Sequence, residues 1–361
     1  LRSIYGYTFD VKKVEKVTTI PVFNGSTIFI SEQDEICNFD LISNVDFFIN
    51  FHAQLGSILV VNGTKNEPYI SEIQHVRRRE TIAMTTANCL VALKSLIART
   101  TFDTKKSNET DKTFVLDSIK SITGTNTKPL VGSSGLSIQY AIMMGLIHDG
   151  LEQHKGKAIK IIVPPNCYGG TNDQARRVAA CIDNVEVVDL LVDGEFDMVQ
   201  SIDMVLAKTA NEDAIPYIIA EIPTNPRVEV PDLIKLKEVL SVERKTSKGE
   251  TAIDPVFILD QTFCPNVHFL GEGEMLSTVR TISYARGSKF PSGGQCTSGY
   301  CVGYLTPKAL IENIERQLSI SDNELTDLQY EVVAKQIHTI TQRITNAYNN
   351  NLEFANSITA K

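Results

Sequence analysis

The stretch 256–294 carries an aspartate and a lysine whose setting could do chemistry. Asp260 closes an apolar, β-type run, Val256–Leu259. Lys289 follows a second β run, Val279–Tyr284, in a Gly/Ser-rich turn, RGSKFPSGG. An amine in a small-residue loop can be reached by a carbonyl and condense with it. A carboxyl at a strand end can keep a ring nitrogen protonated. Asp and Lys are common surface residues, so the pair alone is a weak signal. The rest of the chain has to supply an anion cradle, a face to stack on, and an order of parts.

Three other stretches offer such parts. GSSGLS (132–137) opens a helix, where free N–H groups favour an anion and Gly lets it approach; it reads equally well as a Ser N-cap behind a Gly turn. It lacks the GK[ST] of a Walker loop and the GxGxxG fingerprint. Tyr168, in CYGGT, follows a strand and precedes a helix, so its ring could stack on a flat cofactor or be an ordinary loop residue. In EIPTNP (221–226), Asn225 could hydrogen-bond a ring substituent or only hold a turn. Pyridoxal phosphate is a cofactor that needs such a lysine, acid, cradle and stacking face together. The histidines do not cluster, no HExxH or Ser/His/Asp order stands out, and no metal site is expected.

The elements that must position these residues read as an α/β alternation. Helices are predicted over 112–122, 136–154, 172–182, 197–209 and 231–245. Strands are predicted over 130–135, 159–163, 185–192, 217–222, 256–260, 280–284 and 300–305, with a long helical tail from 307. This implies a mixed, mostly parallel sheet between helices, with ligands beyond the carboxyl ends of its strands. Residues 1–76 read as an N-terminal arm and divergent extension, 77–305 as the large cofactor-binding domain, and 306–361 as a helical segment leading to a small C-terminal domain. A helix is predicted from Arg77 to Arg99, so that Arg77–Arg79 would open it, either solvated or as a phosphate clamp. The run 100–111 reads as a flexible loop.

A chain of 361 residues can bury a sizeable core, and 42% hydrophobic with 22% charged residues is ordinary for a globular protein. The net charge of −8 argues against nucleic acid or an anionic membrane as main partner. No apolar run reaches membrane-span length, and no signal peptide opens the chain. Seven scattered cysteines without a CxxC pair suggest reduced thiols, as in a cytoplasmic protein. The first residue is Leu and not Met, so the natural N-terminus is expected further upstream.

In their order SSGL, YGGT, EIPTNP, ILDQTF and SKFPSGG, these motifs resemble the Cys/Met-metabolism family of pyridoxal-phosphate enzymes. That family includes cystathionine γ-synthases, cystathionine lyases, methionine γ-lyases and homoserine sulfhydrylases. The arm IPVFNGSTIF also resembles its N-terminal stretch, and residues 319–355 its approach to the C-terminal domain. The resemblance covers roughly 20–30 and 130–358 and implies a fold-type-I architecture. It implies elimination or replacement at the β or γ carbon of a sulfur amino acid or activated homoserine ester, in a homodimer or homotetramer. Lys289 would bind the cofactor covalently and shuttle a proton, and Asp260 would face the ring nitrogen. Tyr168 would stack and act as acid or base. Ser134, Gly135, Leu136 and Ser288 would hold the phosphate, with Asn225 and Thr262 orienting the ring.

The chain also departs from that family. Arg286 stands three residues before the lysine, where a Ser is usual, and could pair with the phosphate. The segment that clamps a neighbouring subunit's phosphate is not recognisable; pattern matching sets Arg77 at its arginine and His75 at its tyrosine. The spacers 31–76, 100–128 and 241–255 are enlarged, similar to a long, divergent branch of the γ-synthases. The C-terminal domain, source of the substrate-carboxylate arginine, would lie beyond residue 361. Rival readings are another fold-type-I enzyme, such as a cysteine desulfurase or aminotransferase, and a non-catalytic paralogue kept as a binding partner.

Overall fold

The computed structural model describes residues 10–14, 27–31, 46–52, 56–80, 89–90, 92–94, 109–192, 197–225 and 227–359. Four strands come first: β1 (Asp10–Val14), β2 (Thr27–Ser31), β3 (Phe47–His52) and β4 (Gly56–Val61). They form a small sheet in chain order, parallel from β1 to β3 and antiparallel between β3 and β4.

Helix α1 runs over Glu67–Glu80, ten residues earlier than the helix expected from Arg77. The start signal is Glu67-Pro68: proline fits a first helical turn, where its missing N–H is not needed, and an acid there complements the helix dipole. Arg77–Arg79 therefore lie in the last turn of a helix, where cations offset the dipole, and do not open one. Their side chains, that of His75, and residues 81–88 and 95–108 lie outside the described residues. So does half of the predicted arm and extension, 1–76.

From α2 (Glu109–Thr123) onward the alternation follows the sequence closely. It continues β5 (Leu130–Gly132), α3 (Gly135–Gln153), β6 (Ile159–Val163), α4 (Gly169–Cys181), β7 (Val185–Asp189), α5 (Met198–Asn211) and β8 (Ile215–Glu221). Then come α6 (Leu233–Ser241), β9 (Val256–Asp260), β10 (Thr281–Arg286) and β11 (Gly299–Tyr304). Helix α6 stops short of 245: Val242 is already extended, and Lys245 pairs with Thr251 across a turn. The expected tail is three helices: α7 (Lys308–Ile320), α8 (Asp327–Ile337) and α9 (Ile340–Thr359). A capping box between Thr326 and Gln329 starts α8.

The seven strands β5-β11-β10-β9-β8-β6-β7 form one sheet, all parallel except β11. This is the mixed, mostly parallel sheet that the sequence predicts. Strands such as IKIIV and VFILD are buried at every position because helices cover both faces. Neighbours along a strand point to opposite faces: Phe257 and Leu259 join one core cluster with Ile162, Ile218 and Leu236, while Ile258 joins the other with Ile138, Ile142 and Leu146. On the second face α3 packs against α7, and Gly145 permits it: a Cβ there would lie 2.6 Å from Ile314 Cγ1. Strand order reverses between β6 and β8, and such a switch point leaves a crevice at the carboxyl ends of the strands. No helix among the described residues is long and apolar enough to cross a membrane.

Candidate functional site

The carboxyl ends of β8, β9 and β10 carry Glu221, Asp260 and Arg286, all buried. A hydrophobic sheet delivers these three charges side by side because β9 pairs in register with both neighbours, Asp260 opposite Glu221 and opposite Tyr284. Asp260 is fixed through one oxygen: Oδ1 accepts from the Thr262 N–H (3.0 Å) and from its hydroxyl (2.5 Å). The Thr262 hydroxyl in turn accepts from the Arg286 N–H at 3.0 Å. The other oxygen, Oδ2, lies 2.8 Å from Arg286 Nη1, yet no N–H aims at it and it makes no hydrogen bond. The contact is therefore an ion pair without hydrogen-bond geometry.

Arg286 crosses the site. Its stem lies over the first residue of α3, so that a Cβ on Gly135 would collide with Arg286 Cγ and stand 2.7 Å from its Cβ. Its guanidinium centre sits 4.1 Å from the Tyr168 ring centroid, a stacking distance. Nη2 donates to Thr171 Oγ1 (2.6 Å) and Gln139 Oε1 (3.1 Å). Burial opposes the guanidinium's charge, but Tyr284, Asp260 and Glu221 outweigh it and hold the pKa above its ordinary value. Nε is left without a partner.

Tyr168 stands just before α4, at the switch point, with its N–H donating to Glu221 Oε1 at 3.1 Å. Glu221 is pushed up to about 7, first by burial and then by Asp260, against hydrogen bonds from the Tyr168 and Asn225 amides. Its Oε2 has no hydrogen bond. Burial likewise pushes the neighbouring Cys167 thiol up to about 12, so it is no thiolate nucleophile.

Ser134 caps α3 in a reciprocal box with Ser137: its hydroxyl accepts from the Ser137 N–H, and its own N–H donates to the Ser137 hydroxyl. The Ser134 hydroxyl is thus engaged in the cap, while the amides of Gly135 and Leu136 are among those a helix leaves without internal partners. Lys289 and Ser288 lie exposed in the turn after β10. Lys289, Asn225, Phe263, Tyr168, Asp260 and Arg286 border one small cavity of about 30 Å³, room for about two waters. Of the predicted residues, the structure brings together Tyr168, Asn225, Asp260, Thr262, Arg286 and Lys289 there, with Ser134, Gly135 and Leu136 beside the arginine's stem. The Arg77 side chain is outside the described residues.

Three members of the site escaped the sequence reading. Glu221 ends a strand as Asp260 does, and that parallel was a usable signal. Thr171 closes the YGGT motif in a helical first turn, where only the tyrosine drew a role; Gln139 lies inside an apolar helix, and nothing in its local sequence marks it. Among the described residues no group of three or more His, Cys, Asp or Glu could hold a metal.

No family model and no curated protein matches the chain. The solved structures it is similar to include members of one class, the cystathionine γ-lyases and γ-synthases. In particular, yeast cystathionine γ-lyase is 17% identical with a TM-score of 0.48, covering 63% of this chain and 49% of that one. Cystathionine γ-synthase from Xanthomonas oryzae pv. oryzae, solved with cystathionine, is 15% identical with a TM-score of 0.47, covering 67% and 54%. CalE6 from Micromonospora echinospora, described as a cystathione gamma lyase, is 17% identical with a TM-score of 0.46, covering 63% and 51%. The chain spans about half the length of these structures.

Proposed function

We propose that the chain carries a pyridoxal phosphate site and acts on a sulfur amino acid or an activated homoserine ester, by elimination or replacement at the β or γ carbon. The observation that supports this most is Asp260. Its Oδ2, buried at a strand end and without a hydrogen bond, belongs to a residue that borders the same cavity as the Tyr168 ring and Lys289. The donor set fits the cofactor in chemical type: an amine, an acid for the ring nitrogen, an aromatic face, and unpaired amides at a helix N-terminus. The fit in space depends on Arg286, whose guanidinium stands among these groups.

When bound, the cofactor supplies the electron sink that lets a proton leave the substrate's α-carbon. Asp260 Oδ2 would hold the ring nitrogen's proton, its carboxyl kept in place by the grip of Thr262 on Oδ1. The Tyr168 ring would cover one face, and its hydroxyl would serve as acid or base at the leaving group. The Gly135 and Leu136 amides would bind the phosphate, with the Ser134 cap orienting them and the Ser288 hydroxyl beside them. The Lys289 amine would anchor the cofactor and carry the α-proton, and Asn225 would orient the ring. Two-fold assembly, with Arg77 reaching a partner's phosphate, would complete the site. One observation, the guanidinium in the slot, favours a second reading in which the chain keeps the fold as a binding partner without the chemistry.

Saturating pyridoxal phosphate, borohydride and peptide mapping test the proposal. A pyridoxyl label on Lys289, absent from Lys289→Ala, is expected. Label only on other lysines would refute it.

A further inference from the structure

Arg286 makes the contacts that the site's chemistry would otherwise offer to a bound ring. A cationic planar group lies on the Tyr168 face at 4.1 Å and against the buried Asp260 Oδ2 at 2.8 Å. Its aliphatic stem fills the space at Gly135, the first residue of α3, that a side chain there would take. The cavity left between Arg286, Tyr168 and Asp260 is about 30 Å³, enough for water and too small for a pyridine ring, while the larger space of about 430 Å³ beyond Phe263 and Lys289 borders neither Tyr168 nor Asp260. Every group around the guanidinium complements it: two acids, an aromatic face, and the acceptors on Gln139 and Thr171.

We infer that Arg286 is an internal occupant of the cofactor's slot, and that pyridoxal phosphate enters only when this side chain swings out. The inference rests on the proposed cofactor reading. It follows from excluded volume, since the guanidinium and a ring stacked on Tyr168 beside Asp260 cannot share that place. The arrangement is displaceable, because it is imperfectly satisfied. Arg286 Nε and Glu221 Oε2 are buried without a hydrogen bond, and the ion pair to Asp260 Oδ2 lacks hydrogen-bond geometry; each such shortfall works against the closed state. An incoming cationic ring would replace the guanidinium at both Tyr168 and Asp260, and the arginine, released, could reach solvent through the turn that carries Lys289. The occupied state keeps two buried acids paired while the cofactor is absent, at the expense of cofactor affinity.

The test compares apparent affinities for pyridoxal phosphate, read by borohydride trapping and mapping of Lys289, in wild type and Arg286→Ser. Matched Lys289→Ala chains measure background labelling. Removing the occupant should tighten binding by at least about tenfold, the scale of one charge-assisted hydrogen bond. Arg286→Ser leaves Glu221 and Asp260 without their cation, so the same substitution is also made with Glu221→Gln, and cooperative thermal unfolding is checked for both. A second measurement needs no variant. In wild type, phenylglyoxal should leave Arg286 unmodified without cofactor and modify it once Lys289 is occupied. Equal affinity in wild type and variant, or an Arg286 equally protected with Lys289 labelled, overturns the inference and leaves the cofactor reading standing. Absence of specific Lys289 label in every folded chain overturns both.

Discussion

Glu221→Gln isolates one buried acid whose titration should be visible in stability. In the folded chain Glu221 is pushed from its ordinary 4.5 up to about 7, by burial first and by Asp260 second. Below about 4.5 the group is protonated folded and unfolded, and its contribution is fully present. Between 4.5 and 7 the unfolded chain ionises while the folded chain keeps its proton, so stability falls as pH rises. Above about 7 both forms are ionised and the loss is complete. A gap of that size corresponds to about 3 kcal/mol, and mutual screening with Arg286 makes 2–3 kcal/mol the working order of magnitude. Glutamine cannot ionise, and its carbonyl can still accept from the Tyr168 amide. Urea unfolding of both proteins at several pH values between 4 and 8.5, with equal m-values, reads the difference directly. The variant should gain on the wild type progressively from pH 4.5 to 7 and then hold a constant lead. Parallel curves over that range would refute the reasoning, because Glu221 would then titrate alike in both states.

Two further predictions concern the scaffold. Gly145→Ala places a Cβ 2.6 Å from Ile314 Cγ1 and 3.0 Å from its backbone N, so α3 and α7 must part; a loss of about 1–3 kcal/mol is expected in chemical denaturation, and an unchanged midpoint would refute the close packing. Asp197→Ala removes the carboxyl that accepts from the Val199 and Gln200 amides at the start of α5; about 1 kcal/mol should be lost, with hydrogen exchange accelerated in the first turn of α5.

Much of the fold was legible because buried parallel strands leave a plain trace. Runs such as IKIIV and VFILD are apolar but for Lys160 and the closing Asp260, and they end where chain polarity returns, which is also where a site must lie. Their limits agree with the observed β6 and β9 residue for residue. The start of α1 was misplaced because Leu90, Val91, Leu93, Leu96 and Ile97, spaced as one face of a helix, outweighed the quieter signal of Glu67-Pro68. Local sequence also picked out the types of the site residues: Asp260 at a strand end, Tyr168 in a glycine turn, Lys289 in a Ser/Gly loop. It could not say where a strand-end arginine points. That direction is decided by Gln139 and Thr171 on two helices, Asp260 and Glu221 on two strands, and a glycine at the start of α3 with no Cβ to block the way. The identity of Arg286 is written in the chain, but its seat on Tyr168 exists only where these elements meet. A long side chain settles by the sum of its partners, and those partners come from four separate segments, α3, α4, β8 and β9.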